Sequence, residues 1–515
     1  LEAFDKALEV DPGLTGAWEN RALLLYTFHN YENALKSYES ALEINPRHVN
    51  AWYNKGVILY KLGRTKEALE AYEKALAIKP RHAGAWYNKG IALMEYERYE
   101  ASLKSLEKTI EINPQFAGAW YNKGIVLFRL SRFEEALEAY DNVIAIKSSH
   151  AGAWYNKGTA LAKLDRNEQA FEAFVKAIEL HPYNAHAWHN KGIISGKLGL
   201  HKQAIEAYEK AVEINPDQPS VFVNMGVSLN ALEKPEEALK EFDRAIEIYP
   251  QHANAWYNKG CILGELGNPE EALATYDRAI GINSSHAAAL YNKGVLLGKL
   301  GRYKEALEVF EKAIEIDPRN PGNWAHKGMV FYELNNHKAS LEAFEKTLEI
   351  HPRYGAAIYY NQAFLLNQFK RYEEALEAYT NATDLNPDHA EAWYDMGIIL
   401  GKLNRDEEAL NALEKIIAIH PKHANAWYNK GVILGKLKRN EAALEALEKA
   451  TKLDPQFADA WFQIGLTSGK MEKYKDALKA YDRSIELDPQ HTNAWFDKSV
   501  ALYKVNREKR GLGWF

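Results

Sequence analysis

Hydrophobic residues recur along this chain at the i, i+3, i+4 spacing of amphipathic helices, with short polar breaks between them. Residues 49–82 show the pattern. Ala51, Trp52, Leu59 and Leu62 fall on one side of a first helix. Gly63 follows, a residue able to take the left-handed conformation that ends a helix. Asp165 and Asn404 fill the same slot elsewhere and tolerate that conformation best after glycine. A second helix opens at Lys66-Glu67, carries Ala68, Tyr72 and Ala75 inward, and stops at Pro80. Acidic residues such as Glu134-Glu135 and Glu373-Glu374 recur at this second start, where they favour the positive helix end.

The two-helix unit repeats. Trp18, Trp52, Trp86, Trp120, Trp154 and Trp188 follow one another at a constant step of thirty-four, and Phe222, Trp256, Leu290 and Trp324 keep it. One step of thirty-five leads to Tyr359, after which Trp393, Trp427, Trp461 and Trp495 resume the beat. The inserted residue falls between 352 and 359, in a connection, where insertion disturbs packing least. Thirteen of the 17 prolines share one register, twenty-eight positions after the Trp-type residue or its N-terminal equivalent, from Pro12 to Pro489, with Ser148 and Ser284 as replacements. Fourteen complete units are expected over 15–491, beginning at 15, 49, 83, 117, 151, 185, 219, 253, 287, 321, 356, 390, 424 and 458. Residues 1–14 read as the second helix of an incomplete unit. Residues 492–515 read as the first helix of another, over 492–504, plus a tail from Arg507 that breaks the pattern.

In the unit Ala51-Trp52-Tyr53-Asn54-Lys55-Gly56, then Leu59, Ala68, Tyr72, Ala75 and Pro80, the markers resemble those of the tetratricopeptide repeat family, here as a long prokaryotic-style array. The resemblance covers nearly the whole chain. It implies an all-α fold: an α-solenoid of stacked antiparallel helix hairpins forming a right-handed superhelix, with a protein or peptide held in its concave groove in extended or helical form. It also implies a scaffold and not an enzyme, with no cofactor. Small residues at Gly56 and Ala68 recur as Gly90, Gly124, Gly158, Ala136, Ala170 and Ala204 and let two helices approach closely, while Trp52 and Tyr72 fill the space around them. The family's usual Leu three residues after the Trp is mostly Lys here (Lys55, Lys89, Lys123, Lys157, Lys191, Lys259, Lys293, Lys430). Its stem is expected to pack while the ammonium reaches water.

The packing residues of the first helix leave a second face, at positions 2, 5, 6, 9, 12 and 13 of each unit. In the resembled family it lines the groove. Position 5 is mostly Tyr: Tyr53, Tyr87, Tyr121, Tyr155, Tyr257, Tyr291, Tyr360, Tyr394 and Tyr428. Position 6 is Asn at Asn20, Asn54, Asn88, Asn122, Asn156, Asn190, Asn224, Asn258, Asn292, Asn361 and Asn429. Position 9 is mostly apolar, position 12 is often Gly, and position 13 is often Lys: Lys61, Lys163, Lys299, Lys402 and Lys436. An Asn amide matches a peptide group in donors and acceptors. Two readings stay open: the Asn row grips a ligand backbone, as in similar arrays of protein-modifying sugar transferases, or it bridges neighbouring helices. Units that clamp chaperone C-terminal carboxylates carry Lys at position 5 and Asn at position 9, so that partner class does not fit.

Composition narrows the classes. Hydrophobic residues are 47 % and charged residues 26 %, as in a folded globular chain. A net charge of −6 over 515 residues argues against a nucleic-acid partner, which more often meets a basic surface. No stretch approaches the ~18 apolar residues of a membrane span, so no membrane partner is expected. The lone Cys261 and the lack of a secretory signal point to a reducing compartment, read as cytoplasmic. His48, His82, His150, His252, His286, His389, His423 and His491 occupy inter-repeat loops, and neighbours about one repeat (roughly 10 Å) apart cannot share a metal. The denser cluster of His181, His186, His189 and His201 has no cysteine near it, so no metal site is expected there either. Phosphate-loop, nucleophile-elbow and HExxH motifs are missing. The chain opens within a repeat at Leu1. Either it is an excerpt of a longer protein, or something else caps its ends. Two other functions compete with the scaffold: the recognition arm of a larger enzyme such as a protein-modifying glycosyltransferase, and an array that self-associates through its open ends.

Overall fold

The structure is a computed structural model and describes residues 1–510, the last three by backbone alone. Among the described residues there are thirty helices and no strand. After a short helix Glu2–Val10, the chain forms hairpins of a 13-residue A helix and a 14-residue B helix, as in Val49–Lys61 and Thr65–Ile78. The chain divides into two compact units. The first, Leu1–Ile282, holds Glu2–Val10 and eight hairpins. The second, from Asn283, holds six hairpins and the helix Thr492–Arg510. Within each unit a B helix packs on its own A helix and on the A helix that follows. The fold is all-α and repetitive, as the periodicity implies. The last helix runs past residue 504, to Arg510. The remainder of the tail, 511–515, lies outside the described residues.

Local chemistry sets the helix ends. The loop histidines are N-caps: Nδ1 of His48, His82, His150 and His423 accepts the backbone N–H three residues on, at 3.0–3.2 Å. A neutral imidazole nitrogen takes the place of the usual capping oxygen. Asn184 and Asn320 cap in the same loop with their amide oxygens. The A helix ends at one left-handed residue, Gly63 at φ 74° being typical. Asp165 and Asn404 adopt it as expected, and so do Glu97, Lys370 and Lys438, which carry no turn preference of their own. The stacked hairpins hold these residues in a conformation their sequence does not favour.

Trp and Pro recur together because they bond. The indole N–H of Trp52 donates to the Pro46 carbonyl at 2.9 Å, and the same bond joins Trp86 to Pro80 and Trp120 to Pro114. At the one longer step the greater reach of the Tyr359 hydroxyl, bonded to the Pro352 carbonyl at 2.8 Å, spans the extra residue. The Trp rings from Trp18 to Trp461 are only half-buried, contrary to the expectation that they fill the interior. That place belongs to the B-helix ring: Tyr72, Tyr140, Phe174 and Phe310 are each 1 % exposed. A Cβ on Gly56 would lie 2.5 Å from the Tyr72 ring, so glycine is what allows this contact.

The lysine after the Trp also differs from expectation. Its ammonium does not simply reach water. Lys55 pairs with Glu39 at 2.8 Å, Lys89 with Glu73 at 2.9 Å and Lys430 with Glu414 at 2.9 Å, each acid lying on the preceding B helix. Each ammonium also lies over its own Trp ring, 5.5–5.6 Å from the centroid. A cation held between a carboxylate and a π face ties two hairpins together. Lys191 breaks the rule, because Val175 stands where the acid would be.

Candidate functional site

The A helices put positions 5 and 6 side by side, and stacking brings position 5 of one hairpin to position 6 of the next. Asn88 Nδ2 donates to the Tyr53 hydroxyl at 3.2 Å, Asn122 to Tyr87 at 3.0 Å, Asn156 to Tyr121 at 3.2 Å, Asn190 to Tyr155 at 3.3 Å and Asn429 to Tyr394 at 3.1 Å. Both rows are half-buried. Three of these rings are held from a second side by the next N-cap histidine: Tyr53 lies 4.8 Å from His82, Tyr121 4.7 Å from His150 and Tyr394 5.0 Å from His423, centroid to centroid. Glycine at position 2 leaves room for the phenol at Gly84, Gly118 and Gly152, and a Cβ on Gly152 would come within 3.0 Å of the Tyr121 hydroxyl. Burial pushes the Tyr53, Tyr87 and Tyr121 hydroxyls above the ordinary phenol range.

Other joints change the chemistry but keep the contact. Asn224 meets His189 at 3.0 Å, and Tyr291 meets His326 at 3.3 Å. Burial and the neighbouring His186 push His189 down to about 4, so its ring is neutral at pH 7. The Tyr360 hydroxyl donates to Asp395 at 3.2 Å, and burial raises that carboxyl above its usual range. Besides Asn224, four asparagines are not brought to a tyrosine of the row. Asn54, Asn258 and Asn361 follow hairpins with Glu19, Val223 and Ala325 at position 5, and Asn20 belongs to the first hairpin. Tyr257, Tyr291 and Asn292 are half-buried in their own A helices, and Tyr428 packs on Phe457 at 4.7 Å.

The position-13 lysines are exposed along the C-terminal ends of the A helices. Lys402 lies 6.0 Å from the Tyr372 ring, and Lys436 bonds the Gly401 carbonyl at 3.1 Å and faces Asp406 at 3.7 Å. Lys163 lines an open concavity instead.

Two concavities adjoin on this face of the first unit. One, of about 370 Å³, is lined by Tyr121, Ile125, Arg129, Tyr155 and Asn156. The other, of about 400 Å³, is lined by Ile193, Lys163, Asn190 and Lys197. They share Thr159, so a groove runs along three successive hairpins. On the opposite face, notches of about 730 and 540 Å³ open over Trp154 and Trp427 beside their paired lysines. Sequence reasoning missed these notches. The acid that recurs at a fixed distance before each lysine, as Asp141 before Lys157 and Glu414 before Lys430, is the signal that would have found them. Among the described residues, no group of three or more His, Cys, Asp or Glu is placed to hold a metal, and no helix is long and apolar enough to cross a membrane.

An all-α array with ring, amide and ammonium groups along one face defines a protein-interaction scaffold. Tetratricopeptide repeat models match residues 19–83, 87–151, 257–321 and 326–388, and further models of the same repeat match 151–184, 185–218, 217–285, 366–433, 424–457 and 458–491. The chain belongs to the tetratricopeptide repeat family. Among solved structures it is similar to YrrB, a TPR protein with an unusual peptide-binding site, at 26 % identity over 37 % of this chain and 98 % of that one, with a TM-score of 0.35. It is similar to MamA of Desulfovibrio magneticus RS-1 at 25 % identity over 33 % and 96 %, TM-score 0.32. It is also similar to the APC/C hetero-tetramer Cut9-Hcn1, at 18 % identity over 94 % and 95 %, TM-score 0.35. These scores are too low to transfer any property. No curated protein matches the chain.

Proposed function

We propose that the chain holds extended or helical segments of partner proteins along the face formed by positions 5, 6 and 13 of its A helices. The observation that carries this reading is the pair of adjoining concavities lined by Tyr121, Tyr155, Asn156, Asn190 and Lys163. Stacked hairpins advance about 10 Å, and an extended peptide covers that in about three residues at ~3.3 Å each. One Asn per hairpin then meets one peptide group in about three. The tyrosine takes an Asn N–H, and Asn122 spends its amide nitrogen on both Tyr87 and the Gly118 carbonyl. What such an amide offers a partner is its carbonyl oxygen, aimed by the bond that holds the nitrogen. Clasp and ligand contact therefore work together in this reading, with the tyrosine orienting the asparagine. The lysine edge favours acidic segments.

The test separates the two roles. Peptides recovered with the purified chain are measured against Asn122→Ala, Asn156→Ala, Asn190→Ala combined, and against Tyr87→Phe, Tyr121→Phe, Tyr155→Phe combined. The Asn triple is expected to weaken binding with helicity intact. The Tyr triple loses three clasp bonds, at about 0.5–1.5 kcal/mol of stability each, and retains most of the affinity. Equal binding by the Asn triple and the native chain would end the proposal.

A further inference from the structure

An inner-face opening of about 350 Å³ in the second unit lies between the A helices Ala287–Lys299 and Pro321–Glu333. Val295, Gly298, Tyr303, Phe310, Met329 and Val330 line it. Its origin shows when hairpins are compared at the same two positions. In three other hairpins a ring at position 12 packs on the first residue of the B helix. Tyr26 meets Tyr31 with ring centroids 5.6 Å apart, Phe128 meets Phe133 at 5.2 Å and Tyr332 meets His337 at 5.5 Å. In the hairpin of this opening the B-helix ring is present, as Tyr303, but position 12 is Gly298. A Cβ on Gly298 would meet only Val330, at an ordinary 3.6 Å. The chain therefore builds one wall of an aromatic pair and leaves the other side open.

We infer that an aromatic side chain of the bound segment fills this opening against Tyr303, completing the pair that the chain makes for itself in other hairpins. The inference rests on the groove reading above and names the anchor that the groove selects. The walls suit a ring. Tyr303 and Phe310 are both part of the lining, and aromatic rings pair favourably with one another. Met329, 38 % exposed, supplies a soft flank that adapts to ring shape. His326 closes the inner end, stacked on Phe310 at 6.1 Å and fixed by the Gly322 carbonyl at 3.0 Å. Burial holds its pKa below the usual range, so it brings no charge to the wall at pH 7. The lining includes Lys299 and Glu333, one of each sign, so charge does not select the occupant. The concavities of the first unit carry an excess of positive charge, with Arg129 on one and Lys163, Lys197 and a single acid, Asp165, on the other.

Random peptides displayed on phage and selected on the full chain provide the test, with Gly298→Phe as the variant. That substitution copies Phe128, which packs on Phe133 at the equivalent position of another hairpin. Selected peptides are expected to carry Phe, Tyr or Trp at one shared position and to bind Gly298→Phe about tenfold more weakly or worse. N-acetylphenylalanine amide is expected to compete with them on the native chain, and N-acetylalanine amide is not. The competition arm needs no variant and stands if Gly298→Phe fails to fold. Peptides that bind with no shared aromatic position, or that bind both chains alike and resist competition by the phenylalanine amide, overturn the anchor and leave the groove standing. A native chain that selects no peptide at all overturns both.

Discussion

Two glycines in one helix are expected to respond to the same substitution with opposite signs. Gly260 and Gly264 both lie in Ala253–Glu265, one turn apart. Replacing either by alanine removes a flexible residue from a helix interior, worth about 1 kcal/mol in favour of folding. The surroundings then decide. A Cβ on Gly264 finds nothing nearer than the Ala272 Cβ at 3.9 Å, so the gain stands. A Cβ on Gly260 would lie 2.5 Å from the Thr275 hydroxyl oxygen and 2.7 Å from the Tyr276 ring. Tyr276 is 4 % exposed and Thr275 is 6 % exposed, so neither can swing away. Overpacking of this kind costs about 1–3 kcal/mol, and two buried neighbours place it at the upper end, for a net loss of ~2 kcal/mol. The variants should differ by ~3 kcal/mol, roughly a hundredfold in the local opening equilibrium at 1.4 kcal/mol per tenfold. Repeat arrays open in parts, so the assay is native-state hydrogen exchange of peptides covering 253–265, followed by mass spectrometry. Protection should rise in Gly264→Ala and fall in Gly260→Ala. If both rise, helix propensity outweighs packing and the account of close helix approach through glycine is wrong.

The remaining expectations concern charge and protonation. Burial lowers the His82 pKa below its ordinary value of 6.5, and its Nδ1 must be unprotonated to accept the Ala85 N–H. The stability it contributes is therefore present above pH 6.5 and is lost as pH falls through the lower folded value. Thermal melts of the native chain and His82→Ala across this window should converge at the acid end, with the variant about 1 kcal/mol less stable near neutral pH. A midpoint gap that widens toward acid would contradict the cap. Lys157→Met should cost under about 1 kcal/mol, because the Asp141 partner is half exposed and its pair is screened. Lys191→Met should instead stabilise: burial outweighs the attraction of Glu206 and lowers the Lys191 pKa, and Val175 stands where its counterparts have a paired acid. Urea titrations of the two variants reveal the signs, and a loss at Lys191 equal to that at Lys157 would refute the distinction.

What the sequence determines by itself is local. Helix periodicity, the glycine or asparagine turn and the proline stop act within a few residues, so the two-helix unit and the all-α class are legible from Trp52, Gly63 and Pro80. The candidate rows are legible too, because positions 5 and 6 follow from helix geometry once the register is known. Only the tertiary structure decides what those rows touch. Asn122 meets Tyr87, a full hairpin away along the chain, because stacking brings the two A helices together. The Lys55–Glu39 pair and the displacement of Trp by Tyr72 from the deepest core arise the same way, from contacts between helices. The opening beside Tyr303 depends on Gly298 leaving space that three other hairpins fill with a ring. Space left between helices is a property of their packing, and no single stretch of residues encodes it.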